Sequence, residues 1–210
     1  MTGRRAGWVV RPAGAHGLLV EVGDAPAVRR LTGWLRTSQF AAMLEDVVPG
    51  GRTILVRAPH GLDEIARALR ELSGQDDQMP GPCRNIEIPV TYSGEDLDEV
   101  CDRTGVSRSR FIEEHTGARH TVAFFGFTPG FPYIEGVPRA LHVPRRATPR
   151  TRVPAGAVAA ANGFTVVYPG GTPGGWSLIG YTCLPPLWDI DREPPNLVSI
   201  GDRVVFREVP

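Results

Sequence analysis

Val158-Ala-Ala-Ala-Asn-Gly-Phe-Thr-Val-Val-Tyr168 decides the fold of the larger part of this chain. Two short apolar runs, Val158–Ala161 and Phe164–Tyr168, flank Asn162-Gly163, the dipeptide that best fits a two-residue type I′ turn. The stretch therefore reads as a tight β-hairpin. The same grammar continues on both sides. Thr121–Phe127 reads as a strand, short strands then alternate with Pro/Gly turns, and Val198–Phe206 ends the series with Gly201-Asp202 as a turn inside or before its last strand. Of the 20 prolines, 13 lie after residue 126, which removes long helices from this region. Many short strands at this spacing favour a compact β-barrel over a sandwich or a helical bundle.

Upstream the pattern differs. Trp8–Val10 and Leu18–Val22 read as strands joined by a Pro-Ala-Gly turn. Helical spacing (Val28, Leu31, Leu35, then Phe40, Met43, Leu44, Val47) runs from about 26 to 46 and is stopped by Pro49-Gly-Gly51. Thr53–Arg57 is a β-branched strand, and Leu62–Leu72 an amphipathic helix. The order predicts a small α+β sandwich over 1–82, with Ser73–Pro82 as linker, and a barrel over 83–210. Ile86–Tyr92 is a strand at the junction. Ser93-x-x-Asp96 reads as a capping box that starts a helix through about Arg103, and Ser107 caps another to about His115.

Composition excludes several chemistries. The 210 residues carry 23 basic and 23 acidic groups, which argues against a nucleic-acid or polybasic membrane binder. Every basic residue is Arg. Without Lys there is no P-loop lysine and no Schiff-base lysine. Cys83, Cys101 and Cys183 form no C-x-x-C pair and read as reduced thiols of a cytoplasmic protein. His115 and His120 are five apart, so no metal site is expected. Arg4 and Arg5 precede no uninterrupted apolar run, so neither a signal peptide nor a membrane span is expected.

The sharpest chemical feature is a run without acids. Gly136–Trp188 contains no Asp or Glu but five arginines: Arg139, Arg145, Arg146, Arg150 and Arg152. Guanidinium groups lacking local partners suit an external carboxylate or phosphate. The other reading is that acids from the Glu95–Asp102 cluster neutralise them. Phe127-Thr-Pro-Gly-Phe-Pro-Tyr133 is too apolar for an idle loop, and Phe131 stands in it as a candidate aromatic wall or barrel plug. Gly170-Gly-Thr-Pro-Gly-Gly-Trp176 lets backbone approach an anion, though it matches neither a dinucleotide nor a phosphate-loop fingerprint.

In chain order, Phe127-Thr-Pro-Gly-Phe-Pro-Tyr133, Pro144-Arg-Arg-Ala-Thr-Pro-Arg150, Val153-Pro-Ala-Gly156, and Tyr168-Pro followed by Thr172-Pro-Gly-Gly-Trp176 resemble the B-subunit family of the bacterial 5-oxoprolinase. That family is also known as allophanate hydrolase subunit 1 and the sporulation kinase inhibitor family, and is similar to one half of the carboxyltransferase domain of urea carboxylase. The resemblance implies a small α+β domain followed by a cyclophilin-like β-barrel. It also implies ATP as co-substrate, the C and A subunits of the hydrolase as partners in a hetero-oligomer, and opening of a lactam; magnesium with the ATP stays open. His115 matches the family's histidine at a helix end and would move a proton. Arg150, with Arg145 or Arg146, would hold the substrate's anionic group. Tyr168 and Trp176 would form walls, and Gly174 and Gly175 would offer backbone N–H groups. Phe164 stands where the family usually has Gln, Ala157 where Ser is common, and Ala15 where Asp is frequent. These departures leave open a kinase-inhibitor-like binding role, or another small amide or urea-derived acid of the allophanate type.

Overall fold

A computed structural model of the chain describes residues 8–72 and 84–210. Arg4, Arg5, the expected linker Ser73–Pro82 and Cys83 lie outside the described residues. The chain divides into two compact units, Met1–Gly81 and Pro82–Pro210.

In the first unit, β1 (Val9–Pro12), β2 (Gly17–Glu21), β3 (Asp46–Pro49) and β4 (Thr53–Arg57) form a sheet of order β1-β2-β4-β3, antiparallel throughout. Helix α1 (Ala25–Thr37) starts at Asp24, whose carboxylate accepts the Ala27 N–H at 2.7 Å, and ends at Ser38. Helix α2 (Leu62–Leu72) buries Ile65, Ala66 and Leu69. These join Val20, Val28, Leu31, Leu35, Ile54 and Val56 in one core. The expected long helix over 26–46 is shorter. After α1 the chain makes one 3₁₀ turn at Ala41–Met43 and then enters β3. Val47 is buried and Val48 exposed, the alternation of an edge strand that a helical count across Ser38 obscures.

The second unit begins with β5 (Asn85–Val90), α3 (Leu97–Thr104) and α4 (Arg108–Gly117). Ser107 caps α4 by accepting the Arg110 N–H. Then follow β6 (His120–Phe125), β7 (Pro132–Glu135), β8 (Arg150–Val153), β9 (Ala157–Ala161), β10 (Phe164–Val167), β11 (Thr172–Gly174), β12 (Ser177–Tyr181) and β13 (Arg203–Glu208). Seven strands run in the order β12-β9-β10-β7-β6-β13-β5, and β8 with β11 makes a separate two-stranded ribbon. Strand β5 lies parallel to β13; the other pairings of the sheet are antiparallel. Just beyond β5, Thr91 and Tyr181 exchange two backbone hydrogen bonds of 2.9 Å, so the first and last strands of the sheet nearly meet. The unit is thus a nearly closed, barrel-like sheet, and the chain is α+β. Asn162 and Gly163 take φ of 52° and 81°, as the type I′ turn between β9 and β10 requires.

The sheet has two buried faces. Val158, Ala160 and Val167 join Ile88, Val122, Ile134, Val204, Phe206 and the α3/α4 residues Leu97, Val100 and Phe111 on one side. Ala157, Ala159, Ala161, Val166 and Tyr168 join Phe131, Val153, Trp176 and Leu178 on the other. The period of two along β9 and β10 therefore separates a helix-covered core from an aromatic one.

Near the barrel seam, the chain between Thr91 and Asp96 runs directly over β12. A Cβ on Gly94 would collide with the Leu178 carbonyl and sit 2.5 Å from the Gly180 nitrogen. Gly94→Ala is expected to cost about 1–3 kcal/mol, because backbone on both sides must shift. Urea unfolding should report it as a lower midpoint at unchanged slope.

Candidate functional site

The aromatic face carries the site. Phe131 stands edge-on to Tyr168 at 5.0 Å and to Trp176 at 6.4 Å; Tyr133 stands edge-on to Trp176 at 5.7 Å. The small β9 side chains Ala157, Ala159 and Ala161 leave room for these rings. Above them lies a cavity of about 150 Å³, lined by Phe127, Phe131, Tyr133, Arg145, Arg146, Pro149, Tyr168 and the Pro173–Trp176 segment. The Arg145 guanidinium rests 5.5 Å from the Trp176 ring centroid, a cation–π placement. No carboxylate among the described residues pairs with Arg145. Burial holds the Tyr168 phenol up at about 12 against the lowering pull of the Trp176 backbone N–H and the Arg145 charge, so it stays protonated at neutral pH.

Two elements place this lining. The Arg146 N–H donates to the Gly175 carbonyl at 2.7 Å. In the β8/β11 ribbon, Arg150 lies opposite Gly174. The 144–150 segment and the Gly-Gly-Trp segment are thereby fixed side by side.

Seven of the nine sequence candidates line the cavity: Phe131, Arg145, Arg146, Tyr168, Gly174, Gly175 and Trp176. Arg150 does not. Its guanidinium forks onto Asp96, Nη1 to Oδ2 at 2.8 Å and Nη2 to Oδ1 at 2.9 Å. Arg146 Nη1 also donates to Asp96 Oδ1 and lies 3.3 Å from Glu99 Oε2. These two arginines therefore do not lack internal partners, as the acid-free run had suggested. Acids 47 to 54 residues away in sequence neutralise them, which is the other reading of the acid-free run.

Asp96 belongs to the Glu95–Asp102 cluster offered as partner to these arginines, but singly it was read only as part of a helix start. It ends up 4% exposed and accepts, besides the two arginines, the Leu178 N–H at 2.8 Å. The expected box put Ser93 at the cap with Asp96 three residues in; instead α3 starts at Leu97 with Asp96 itself at the N-cap position, and its side chain caps nothing. Burial raises its carboxyl, but the Arg150 fork, the Leu178 N–H and the charges of Arg150 and Arg146 outweigh that and hold it below the usual range. The available signal was an acid beside a β-rich segment holding arginines and no acids, read there as a helix start.

His115 is also corrected. It is fully buried and lines no part of the cavity. Its Nδ1 bonds Tyr92 Oη at 2.7 Å and its Nε2 bonds Thr165 Oγ1 at 2.8 Å. Phe111 stacks on it, and Phe206 packs 4.7 Å away. Thr165 precedes Val166, so it points to the opposite side of β10 from the aromatic cluster. The His120 Nε2–H donates to the His115 carbonyl at 2.8 Å. Among the described residues no three His, Cys, Asp or Glu side chains gather as for a metal ion. No helix there is long and apolar enough to cross a membrane.

Residues 8–198 match the family model of the carboxyltransferase domain, subdomains C and D. The chain belongs to that family. The 5-oxoprolinase B subunit of Escherichia coli O157:H7 is 42% identical over 168 residues, covering 77% of this chain and 76% of the relative. The crystal structure of TTHA0988 superposes with a TM-score of 0.77 at 35% identity, over 96% of this chain and 40% of that one, so this chain spans less than half of that protein. Kluyveromyces lactis urea carboxylase shares the fold: its TM-score is 0.74 at 18% identity, over 97% of this chain and 22% of that one.

Two measurements check this geometry, one at the cavity rim and one at the buried histidines. Phe127, on the cavity rim, is 63% exposed and holds φ at 68°, in the left-handed region. Phe127→Gly is therefore expected to be about 1 kcal/mol more stable than Phe127→Ala, the reverse of the ordinary order. Burial, and for His115 the nearby His120, hold both histidines below their ordinary value, only partly opposed at His120 by backbone hydrogen bonds. The unfolded chain then binds more protons in acid. Stability should be full above about pH 6.5 and fall below it by up to about 1.4 kcal/mol per pH unit per histidine. Urea midpoints between pH 8 and 5 should show this slope, and His115→Gln should flatten it.

Proposed function

We propose that this chain is the B component of an ATP-dependent 5-oxoprolinase, working with a C-subunit homologue and the A subunit in the cytoplasm. Its part is to hold the lactam acid while the amide is activated and opened to glutamate. The observation that carries the reading is Arg145, laid on Trp176 at the rim of a small aromatic cavity without a carboxylate partner among the described residues. An unpaired cation over an apolar, ring-lined pocket suits a compact ring that bears one carboxylate. The protonated Tyr168 hydroxyl is placed to donate a hydrogen bond to a ligand oxygen.

The size of the cavity bears on ATP. About 150 Å³ is well under the roughly 300–1,000 Å³ of sites for drug-sized ligands, too little to enclose a nucleotide. Arg146 and Arg150 are occupied by Asp96. ATP, with any magnesium it carries, is therefore assigned in this reading to one of the partner chains, and this chain contributes substrate binding and orientation.

Two of the three sequence departures, Phe164 and Ala157, fall outside the cavity lining. Phe164, in place of the usual Gln, packs edge-on to Tyr133 and Phe124 at 5.9 Å and does not line the cavity. Ala157 is buried against the aromatic core. Both residues stand behind the cavity walls.

Reconstitution with the C-subunit homologue and the A subunit is expected to give ATP-dependent conversion of 5-oxoproline. Arg145→Gln should raise KM about ten-fold or more and change kcat little, the pattern of a lost binding contact. Unchanged kinetics would remove Arg145 from the site. Absence of turnover with both 5-oxoproline and allophanate would sink the assignment.

A further inference from the structure

The cavity rim holds two adjacent arginines with opposite fates. Arg145 is exposed, stacked on Trp176 and unpaired with any carboxylate of the described residues. Arg146 lines the same cavity, yet its Nη1 is held by Asp96 and Glu99. Arg146 Nε is buried with no hydrogen-bond partner among the described residues, so the group retains donor capacity that the network does not use. Arg150 spends its fork on the same Asp96. Glu99 also pairs with Arg103 at 3.2 Å, and Glu95 acts on Arg150 beside Asp96, so Arg103, Arg146 and Arg150 balance Glu95, Asp96 and Glu99, and one net positive charge, that of Arg145, is left at the cavity.

From this charge balance we propose that Asp96 is a specificity-determining residue that never touches the ligand: it neutralises Arg146 and Arg150 and so sets the cavity to accept a single negative charge. The inference rests on the reading of the cavity as an anion site. It adds a discrimination, of monoanions from dianions, that the reading does not require. The physical ground is that a second negative charge would have to leave water for a small apolar-walled space offering no second free cation. The buried position of Asp96 makes the setting durable. Charges exposed to solvent are screened, whereas this carboxylate is 4% exposed and held by three separate donor groups.

The test uses two ligands of one shape, cyclopentanecarboxylate and cyclopentane-1,1-dicarboxylate, titrated at pH 8 into the full chain by calorimetry, with Trp fluorescence as a second signal. The wild type is expected to prefer the monocarboxylate by about ten-fold or more. Asp96→Asn adds one unit of positive charge and should shift the preference toward the dicarboxylate by at least about ten-fold. Because Asp96→Asn cuts a buried network and risks unfolding, Glu99→Gln is measured beside it. Glu99 is half exposed, so its variant folds, and it should shift the ratio in the same direction by a smaller factor that shrinks with added salt. A merely structural role for Asp96 would weaken both ligands alike and leave the ratio fixed. A wild type that prefers the dicarboxylate, or binds neither ligand, overturns the proposal, as does an unchanged ratio in folded Asp96→Asn or, where that variant does not fold, in Glu99→Gln. The reconstituted turnover of 5-oxoproline stands or falls separately: selective binding without turnover would keep the charge filter and sink the enzymatic assignment.

Discussion

One buried carboxylate organises the cavity side of the barrel. Asp96 sits at the start of α3 and receives the Arg150 fork, the Arg146 Nη1 and the Leu178 N–H. Its own N–H donates to the Leu178 carbonyl at 3.0 Å, so main chain and side chain both bind β12. Four pieces of chain meet there: the seam after β5, the 144–150 segment, β8 and β12. A carboxylate taken out of water is costly until its lone pairs are filled, and this one is filled from several sides. Breaking one partner of such a network typically costs about 3–5 kcal/mol, because the others are left buried and unmatched. The geometry of the cavity rim depends on this point, since Arg146 passes the constraint to Gly175 through its backbone N–H.

The second constraint is the two-residue period of the β9–β10 hairpin. It sends Thr165 and Val167 to the face covered by α3 and α4, and Val166 with Tyr168 to the aromatic face. Two polar sets with different fates follow from that division. Tyr92, His115 and Thr165 close on one another in a dry core, where one imidazole nitrogen donates and the other accepts. Burial also pushes the Tyr92 phenol up, so that network is neutral as a whole. Tyr168, by contrast, faces an open cavity beside an arginine. A histidine and a tyrosine that look equally chemical in the sequence are thus assigned, one to the core and one to the site, by which side of a strand they meet.

The parts of the fold carried by local chemistry were legible in the sequence. The Asn162-Gly163 turn, the Ser107 cap and the helical spacing of Leu62–Leu72 each follow from interactions within a few residues, and each is present. The loop motif at 127–133 announced an aromatic wall, and residues of it line one cavity with the Pro173–Trp176 segment, which the sequence offered as a loop for backbone contact to an anion. What sequence could not deliver depended on long-range partners. The strand at Asp46–Pro49 is defined by pairing with β4, while its apolar residues happen to continue a helical count from α1. The capping reading of Asp96 used a rule that pairs it with Ser93, three residues before it, and the contacts that prevail come from 50, 54 and 82 residues away. Arg150 was lost to the site by the same distance.

The absence of lysine gains a local meaning at two of these places. The Arg150–Asp96 contact is a fork of two parallel bonds, which a guanidinium supplies and a single ammonium cannot. Arg145 lies with its charge over the Trp176 ring, where a planar, weakly hydrated cation loses less on desolvation than an ammonium would. Geometry requires arginine at 150, as a clamp, and favours it at 145, as an anchor stacked on the ring. Most of the other arginines are exposed or sit in surface pairs such as Arg110–Glu114 and Arg207–Glu87, which contribute little to stability and which lysine could replace. The composition therefore marks no general anion-binding surface. Its chemical weight falls on the short segment 145–150, where Arg145 is left without a carboxylate partner while Asp96 neutralises Arg146 and Arg150.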